Sequence, residues 1–339
     1  MQLSEFDFPF DQTLIATEPV LPRDRARLLL LDRSSGSLTH RTIADLPDLL
    51  TPGDLLVVND TRVRPARVAG IKRLSGVKIE LLFVKERSDG SWDVLVKGKQ
   101  KPGQVIDVSP VDRVVIQSQE QGSTVVKIES HLSIGQFFDR FGLMPLPPYI
   151  KRTPSKKDHE WYQTVFATKE GAIAAPTAGL HFTDDLLDRL RQRDIGLAKV
   201  TLHVGVGTFK PVTAERVEDH RMGAEWLRID MDTVRAIEQT RTAGGKIIAV
   251  GTTVVRALEA ACVRDGTLRP YEGETRLFIT PGHVFRTVDA LITNFHLPKT
   301  TLLMLVSAFA GTAVLKRAYE EAVKERYRFY SYGDAMLIL

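Results

Sequence analysis

The sequence predicts an α/β protein: a mostly parallel sheet with helices on both faces, interrupted by an inserted small antiparallel β-barrel. Three observations lead there. Residues 27–60, and the chain after residue 160, mix strand-like apolar runs with helical patterns. Residues 66–130 instead hold six short β-type runs broken by Gly, Asp and Ser, with no helical stretch between them. A proline-dense stretch, GLMPLPPYIKRTP at 142–154, then leads out of that texture. The expected division is a discontinuous α/β domain, residues 1–65 and 151–339, around a barrel domain of residues 66–150.

Along the chain, RLLLLD (27–32) reads as a strand, RSSGS (33–37) as a turn, IADLPDLL (43–50) as a short helix and GDLLVVND (53–60) as a second strand. The barrel runs are ARVAGIK, VKIELLFVKE, SWDVLVKG, QVIDVS, DRVVIQS and STVVKIE. Beyond 160, TDDLLDRLRQRDIG (183–196) is a well-marked helix. Thr183 is its N-cap, Asp184 and Asp185 sit in the positive first turn, and Gly196 ends it. LAKVTLHVG (197–205) and GKIIAVG (245–251) read as buried strands, with helices at 252–266 and 315–328. TTLLMLVSAFAG (300–311) is a core helix, short of the roughly 20 residues a membrane span needs.

Composition narrows the function classes. Of 339 residues, 43% are hydrophobic and 26% charged, a globular profile. The N-terminus MQLSEFDFPF lacks the basic and apolar regions of a signal peptide, so a cytoplasmic protein is expected. One cysteine, Cys262, excludes an intrachain disulfide and a multi-cysteine zinc site. The net charge of +4 is modest, but basic residues cluster in RVRPAR (62–67), KRLSGVK (72–78), KGKQK (97–101) and KRTPSKK (151–157). Such a surface suits a polyanion such as nucleic acid, or is simply a solvated basic face. Arg62, Arg64, Arg67, Lys97, Lys99, Lys101, Lys151 and Arg152 are the RNA-binding candidates.

General nucleotide and hydrolase signatures fail. GVGTFK (205–210) puts Lys210 where a dinucleotide loop needs its third glycine, and TAGGK (242–246) lacks the rest of a P-loop. There is no H-E-x-x-H and no G-x-S-x-G, and the eight histidines are scattered, so no metal site is expected. What remains is one recurring pattern, a strand running into a Gly/Thr-rich turn. TLHVGVGTFKPV (201–212) presents His203, Gly205, Gly207 and Thr208. IAVGTTVVRALE (248–259) sets Gly251, Thr252, Thr253 and Arg256 at a helix N-terminus, a natural anion site. LITNFHLPKTTLL (291–303) offers Asn294 and His296, and GAIAAPTAGLHFT (171–183) offers Thr177, Gly179 and His181 beside small residues. In an open α/β sheet such turns lie side by side and form a ligand crevice. His181, His203 and His220 are the acid/base candidates, with Glu225 as an alternative. Tyr330 and Tyr332, among the arginines of RYRFYSYGDAMLI, are placed either to stack a base or within a strand capping the sheet edge.

Several longer segments carry a resemblance: NDTRVRPAR, LPPYIKR, YQTVFA, GAIAAPTAGLHFT, HVGVGTFKPV, GTTVVRALE, ITNFHLPKTTLLMLVSAFAG and YRFYSYGDAMLI. In order and over essentially the whole chain, they resemble the S-adenosylmethionine:tRNA ribosyltransferase-isomerase family of queuosine biosynthesis. The resemblance implies an α/β domain interrupted by a β-barrel. It implies S-adenosylmethionine as a ribosyl-donating co-substrate, with no prosthetic group. The acceptor it implies is 7-aminomethyl-7-deazaguanine at the tRNA wobble position, and the products epoxyqueuosine-tRNA, adenine and methionine. Thr252, Thr253 and Arg256 would then grip the methionine carboxylate, and a monomer is expected. One departure stands out. Family members usually carry a histidine after the methionine of DHxM, where this chain has Gly223. The rival readings are an S-adenosylmethionine-dependent RNA methyltransferase and a non-catalytic RNA-binding protein.

Overall fold

The structure, a computed structural model, describes residues 1–120, 123–205, 212–262 and 266–339. After 3-10 turns at Leu3–Phe6, Gln12–Leu14 and Arg23–Arg25, the chain forms a hairpin of β1 (Arg27–Leu31) and β2 (Leu38–Thr42), then α1 (Leu46–Leu49), β3 (Leu55–Asn59) and β4 (Thr61–Val63). Six strands follow: β5 (Arg67–Lys72), β6 (Lys78–Glu86), β7 (Trp92–Val96), β8 (Val105–Asp107), β9 (Arg113–Glu120) and β10 (Ser123–Glu129). Next come α2 (Ile134–Phe141), β11 (Gly142–Leu143), α3 (Asp158–Trp161) and β12 (Lys169–Ala172). The last part begins with α4 (Asp184–Gln192), β13 (Gly196–Leu202), β14 (Glu225–Ile229), α5 (Met231–Thr242) and β15 (Ile247–Val250). It ends with α6 (Thr252–Ala261), β16 (Tyr271–Thr275), β17 (Ala290–Asn294), α7 (Thr301–Ala310), α8 (Thr312–Lys324) and β18 (Ala335–Ile338).

Nine strands form one sheet in the order β16-β14-β13-β3-β15-β17-β18-β1-β2. The parallel block is β13-β3-β15-β17, and β18 also runs parallel to β1. The remaining four pairings, β16–β14, β14–β13, β17–β18 and β1–β2, are antiparallel. The sheet is therefore mixed, with a parallel centre, where the sequence predicts a mostly parallel one. β14 and β16 lie outside the periodic patterns that betray the centre. β18 corrects a second expectation: it lies between β17 and β1, inside the sheet rather than at its edge. Its four residues are all buried, as interior strands require.

Alternation along the strands builds two cores. Leu55 and Val57 of β3 join one cluster with apolar residues of α5, α6, α7 and α8. Leu56 and Val58 point the other way, to a cluster with Leu46 of α1 and Leu186, Leu187 and Leu190 of α4. Helices thus cover both faces. α4 begins as expected, with Thr183 Oγ1 accepting the Leu186 N–H at 3.1 Å. It stops earlier than expected, because Asp194 adopts a left-handed conformation (φ 57°) and turns the chain, so Gly196 opens β13. No single helix among the described residues is long and apolar enough to cross a membrane, and α7 is largely buried in the core.

The second sheet closes on itself. β5 pairs with β6 on one side and β8 on the other, and β11 adds to β5, giving a six-stranded antiparallel barrel with one appended strand. Its interior is an edge-to-face aromatic cluster of Phe83, Trp92, Phe137 and Phe138. α2, beyond the reach of the strand pattern, supplies two of those rings and begins at Ser133, whose Oγ accepts the Gln136 N–H.

Candidate functional site

Because β13, β3, β15 and β17 are parallel, their carboxyl ends share one edge of the sheet. Polar side chains gather there: His203 just past β13, Asn59 and Asp60 at the end of β3, and Asn294 at the end of β17. Gly251, past β15, turns into α6 with φ 97°, a conformation that favours glycine. A crevice at this edge is lined by Pro176, Thr177, Ala178, Val204, Gly251, Thr252, Thr253, Thr293, Asn294, His296 and Leu302. Among the described residues no side chain caps α6, so its positive end opens among these residues.

Asn294 is the hub of this edge. Its Oδ1 accepts from Thr177 Oγ1 at 3.0 Å, and its Nδ2 reaches the Tyr330 carbonyl and His181 Nε2, each at 3.1 Å. A carbonyl only accepts, so the amide nitrogen must face Tyr330. His181 Nε2 is then the acceptor, and the ring proton lies on Nδ1. His181 sits in the buried 3-10 turn Thr177–His181, which also carries Gly179. Burial, with Arg328 and Arg23 nearby, lowers its pKa to about 3. His296 behaves alike: buried, its Nε2 held by Thr293 Oγ1 at 2.9 Å, its pKa lowered to about 3 by desolvation. Its backbone N–H donates to Tyr319 Oη at 2.9 Å. Both rings are neutral at physiological pH.

His203 is half-buried and differently held. Its ring stacks on Trp226 at 4.9 Å, and Nδ1 lies 2.8 Å from Thr61 Oγ1. Thr61 Oγ1 also reaches the Lys169 carbonyl at 3.5 Å. With the hydroxyl proton on that carbonyl, Thr61 accepts Nδ1–H and leaves Nε2 as the basic nitrogen. Gly171 (φ 151°) passes so close that a Cβ there would lie 2.5 Å from Nε2, so only glycine fits. Burial lowers the His203 pKa, and Arg64 lowers it further, while Asp60 pulls it up. Asp60 is itself buried and accepts from Thr201 Oγ1 at 2.6 Å and Thr168 Oγ1 at 3.0 Å. Asn59 ties β3 to β13 through the Leu202 backbone and reaches Thr253 Oγ1 at 3.3 Å.

The acid/base candidates His220 and Glu225 have separate partners among the described residues. His220 packs edge-on against Phe278, with its pKa lowered by burial. Glu225 forms a buried ion pair with Arg256 and accepts the Gly205 N–H at 3.1 Å. Gly223 is exposed, with nothing near where a Cβ would point, so the fold tolerates a side chain there without requiring one. Gly207 and Thr208 lie outside the described residues.

The tyrosines separate. Tyr330, in a left-handed conformation (φ 73°), stands edge-on to Tyr149 at 3.8 Å, and burial raises its pKa to about 12. Tyr332 is 2% exposed, packs on Tyr162 and donates to Asp158 at 3.3 Å. It is a core residue here, against the expectation of a stacking platform. The basic candidates also divide. Arg62, Lys97, Lys99, Lys101 and Lys151 are exposed. Arg152, by contrast, is committed to the buried Asp158 through two bonds at 2.7 and 2.8 Å. Arg67 donates to the Leu146 carbonyl, and Arg64 lies over the Trp92 ring and near Glu170. Among the described residues no group of three or more His, Cys, Asp or Glu is placed to hold a metal ion.

The sequence reading passes over Asn59, Asp60, Thr61, Trp226 and Thr293. For Asn59 and Asp60 a signal exists: two polar residues directly after LLVV, at the carboxyl end of a buried strand. Trp226 carries none, because its stacking on His203 depends on the antiparallel pairing of β14 with β13.

Fold and crevice together define an α/β ligand-binding protein with a β-barrel inserted between the strands β4 and β12. More narrowly, the chain belongs to the family described as queuosine biosynthesis protein, whose model matches residues 3–338. It is similar to S-adenosylmethionine:tRNA ribosyltransferase-isomerases of Symbiobacterium thermophilum, 48% identical, and Geobacter sulfurreducens, 49% identical, each match spanning all of both chains. A crystal structure of an S-adenosylmethionine tRNA ribosyltransferase from Thermotoga maritima is 36% identical over 99% of this chain and all of its own, with a TM-score of 0.58.

Proposed function

We infer that this chain transfers and isomerises the ribosyl moiety of S-adenosylmethionine onto 7-aminomethyl-7-deazaguanine at the wobble position of tRNA. Adenine and methionine leave, and epoxyqueuosine-tRNA remains. The observation that carries this reading is the likeness, 48% identical and spanning both chains completely, to a relative bearing that activity in its name. It acts in the cytoplasm as a monomer, with residues 1–65 and 151–339 handling the donor and the barrel, residues 66–150, adding basic surface for RNA.

The crevice suits the chemistry. The sulfonium acidifies the donor's 5′ carbon, so a base can remove a proton there; the resulting ylide expels adenine, and the acceptor amine then attacks the unsaturated sugar. Such a base must be neutral at working pH and have a nitrogen to spare. His203 has both: a pKa lowered by burial, and Nε2 left over once Thr61 takes Nδ1. In His181 and His296 the Nε2 atoms are already engaged, so these rings orient Asn294 and Thr293. Exposed Arg62, Lys97, Lys99, Lys101 and Lys151 supply positive charge for the RNA backbone.

Following the label tests the reading. With methyl-labelled S-adenosylmethionine and tRNA bearing the aminomethyl base, the label is expected in free methionine, with adenine released in step. Label found in RNA would establish a methyltransferase instead. Neither adenine nor labelled product, with tRNA bound, would leave a non-catalytic RNA-binding protein.

A further inference from the structure

His203 is held on three sides, and each side comes from a different strand. Its backbone N–H donates to the Trp226 carbonyl at 2.9 Å, which makes the two residues neighbours where β13 and β14 pair. Side chains opposed in this way share one face of a sheet. The indole meets the imidazole nearly parallel, with ring centroids 4.9 Å apart and planes 18° from each other. Thr61 of β4 tethers Nδ1 at 2.8 Å.

The third side is Gly171 of β12. β14 borders β13 on one flank and β3 borders it on the other. β12 stands on the β3 flank, where the Asp60 carbonyl accepts the Thr168 and Lys169 N–H groups at 2.8 and 3.1 Å. A Cβ on Gly171 would lie 2.5 Å from Nε2 and 2.7 Å from both Cδ2 and Cε1. A point in the ring plane beyond Nε2 would be much farther from the two carbons than from the nitrogen. Nearly equal distances therefore put Gly171 over a face of the ring and leave the in-plane lone pair of Nε2 uncovered. One face of His203 is against the indole, and the other is against a backbone that carries no side chain.

We propose that Trp226 is a positioning residue: with Gly171 on the opposite face, it fixes the plane of the His203 ring so that Nε2 addresses the donor's 5′ carbon. This rests on the reading of His203 as the base. One hydrogen bond to Thr61 leaves the ring free to rock about the line from Nδ1 to Oγ1, and flat contacts on both faces remove that freedom. A base needs its lone pair aimed at the reacting group, and small misplacements cost large rate factors. Trp226 is half-buried and belongs to none of the apolar clusters among the described residues, so filling a core does not account for it. It touches no reacting atom in this assignment and acts through the histidine.

Adenine release by folded Trp226→Ala should show kcat lower by about 10- to 100-fold, with KM for S-adenosylmethionine and for tRNA within about twofold of wild type. Trp226→Phe keeps a flat ring and should recover to within a few-fold of wild type. Gly171→Ala presses the imidazole from its other face and should lower kcat in the same way. In a His203→Ala background, Trp226→Ala should cost nothing more, because its effect passes through the missing ring. A Trp226→Ala kcat within about twofold of wild type would overturn the assignment. So would an equal further loss without His203, which would make Trp226 a substrate contact or a fold residue. The free protein gives a readout independent of turnover. Nitrogen NMR should show His203 as one tautomer with Nδ1 protonated, and in Trp226→Ala an average drawn toward Nε2–H as the ring leaves Thr61. An unchanged tautomer would overturn it as well. If His203→Ala itself turns over within a few-fold of wild type, the base reading falls, and the spectra then decide whether Trp226 holds the ring.

Discussion

The barrel and the strand-end crevice bury their side chains to opposite ends. In the barrel, Phe83, Trp92, Phe137 and Phe138 meet edge to face at 5.2 to 6.4 Å, an interior held by shape and apolar area. At the crevice the buried groups are His181, Asn294, His296 and Asp60, with Arg256 in a small space beside it. Each of these costs free energy to desolvate and is kept in place by named partners: Thr177, Thr293, Thr201, Glu225. The difference shows where this fold invests in position. An apolar interior tolerates some repacking, whereas a polar edge fixes each nitrogen and oxygen to one orientation. The parallel block makes the edge available, since its four strands end together, while the barrel strands end at turns pointing in both directions.

The comparison is broken most easily at His203. His203→Ala should slow adenine release by about 10²–10⁴-fold while leaving unfolding little changed. The sign of the pH dependence follows from burial. The His203 pKa lies below its ordinary value of 6.5, so the basic form is complete at neutral pH and is lost only as pH falls below 6.5. Wild-type kcat/KM should show an acid limb there, absent from the variant's residual rate. Turnover within a few-fold of wild type would remove the histidine from the chemistry.

Phe138→Ala probes the other region. Removing a fully buried ring should cost about 3–5 kcal/mol in urea denaturation, with turnover per folded molecule near wild type. A folded variant with collapsed kcat would show that the barrel does more than present a surface. The smallest effect is expected at its exposed turn. Replacing Lys97, Lys99 and Lys101 with Gln should weaken tRNA binding several-fold and flatten its salt dependence by up to about one unit per lost phosphate contact. S-Adenosylmethionine affinity should not move. An unchanged salt slope would send the RNA to another face.

Much of the fold was legible because its signals are local. Six short runs between Gly, Asp and Ser became the six barrel strands, and Thr183 capped α4 as its chemistry requires. β18 was not legible as an interior strand, because AMLI reads alike at an edge and in a centre. Only its pairing with β1 and β17, more than 300 and about 45 residues away, decides the matter. The site divided along the same line. Glycine and threonine turns at strand ends announced a crevice, yet the bond from Asn294 to His181 spans 113 residues and leaves no mark on either segment.

By itself, the sequence determined the periodicities, the helix starts, the absence of a multi-cysteine site and the family, since each depends on neighbouring residues or on long uninterrupted motifs. Tertiary structure decided the partners. It gave Glu225 to Arg256, turned Tyr332 into the core, set Trp226 on His203, and tied Asn294 to His181. The physical reason is that a strand's alternation fixes which face a side chain takes, whereas the group it meets there depends on which distant strand closes the sheet beside it.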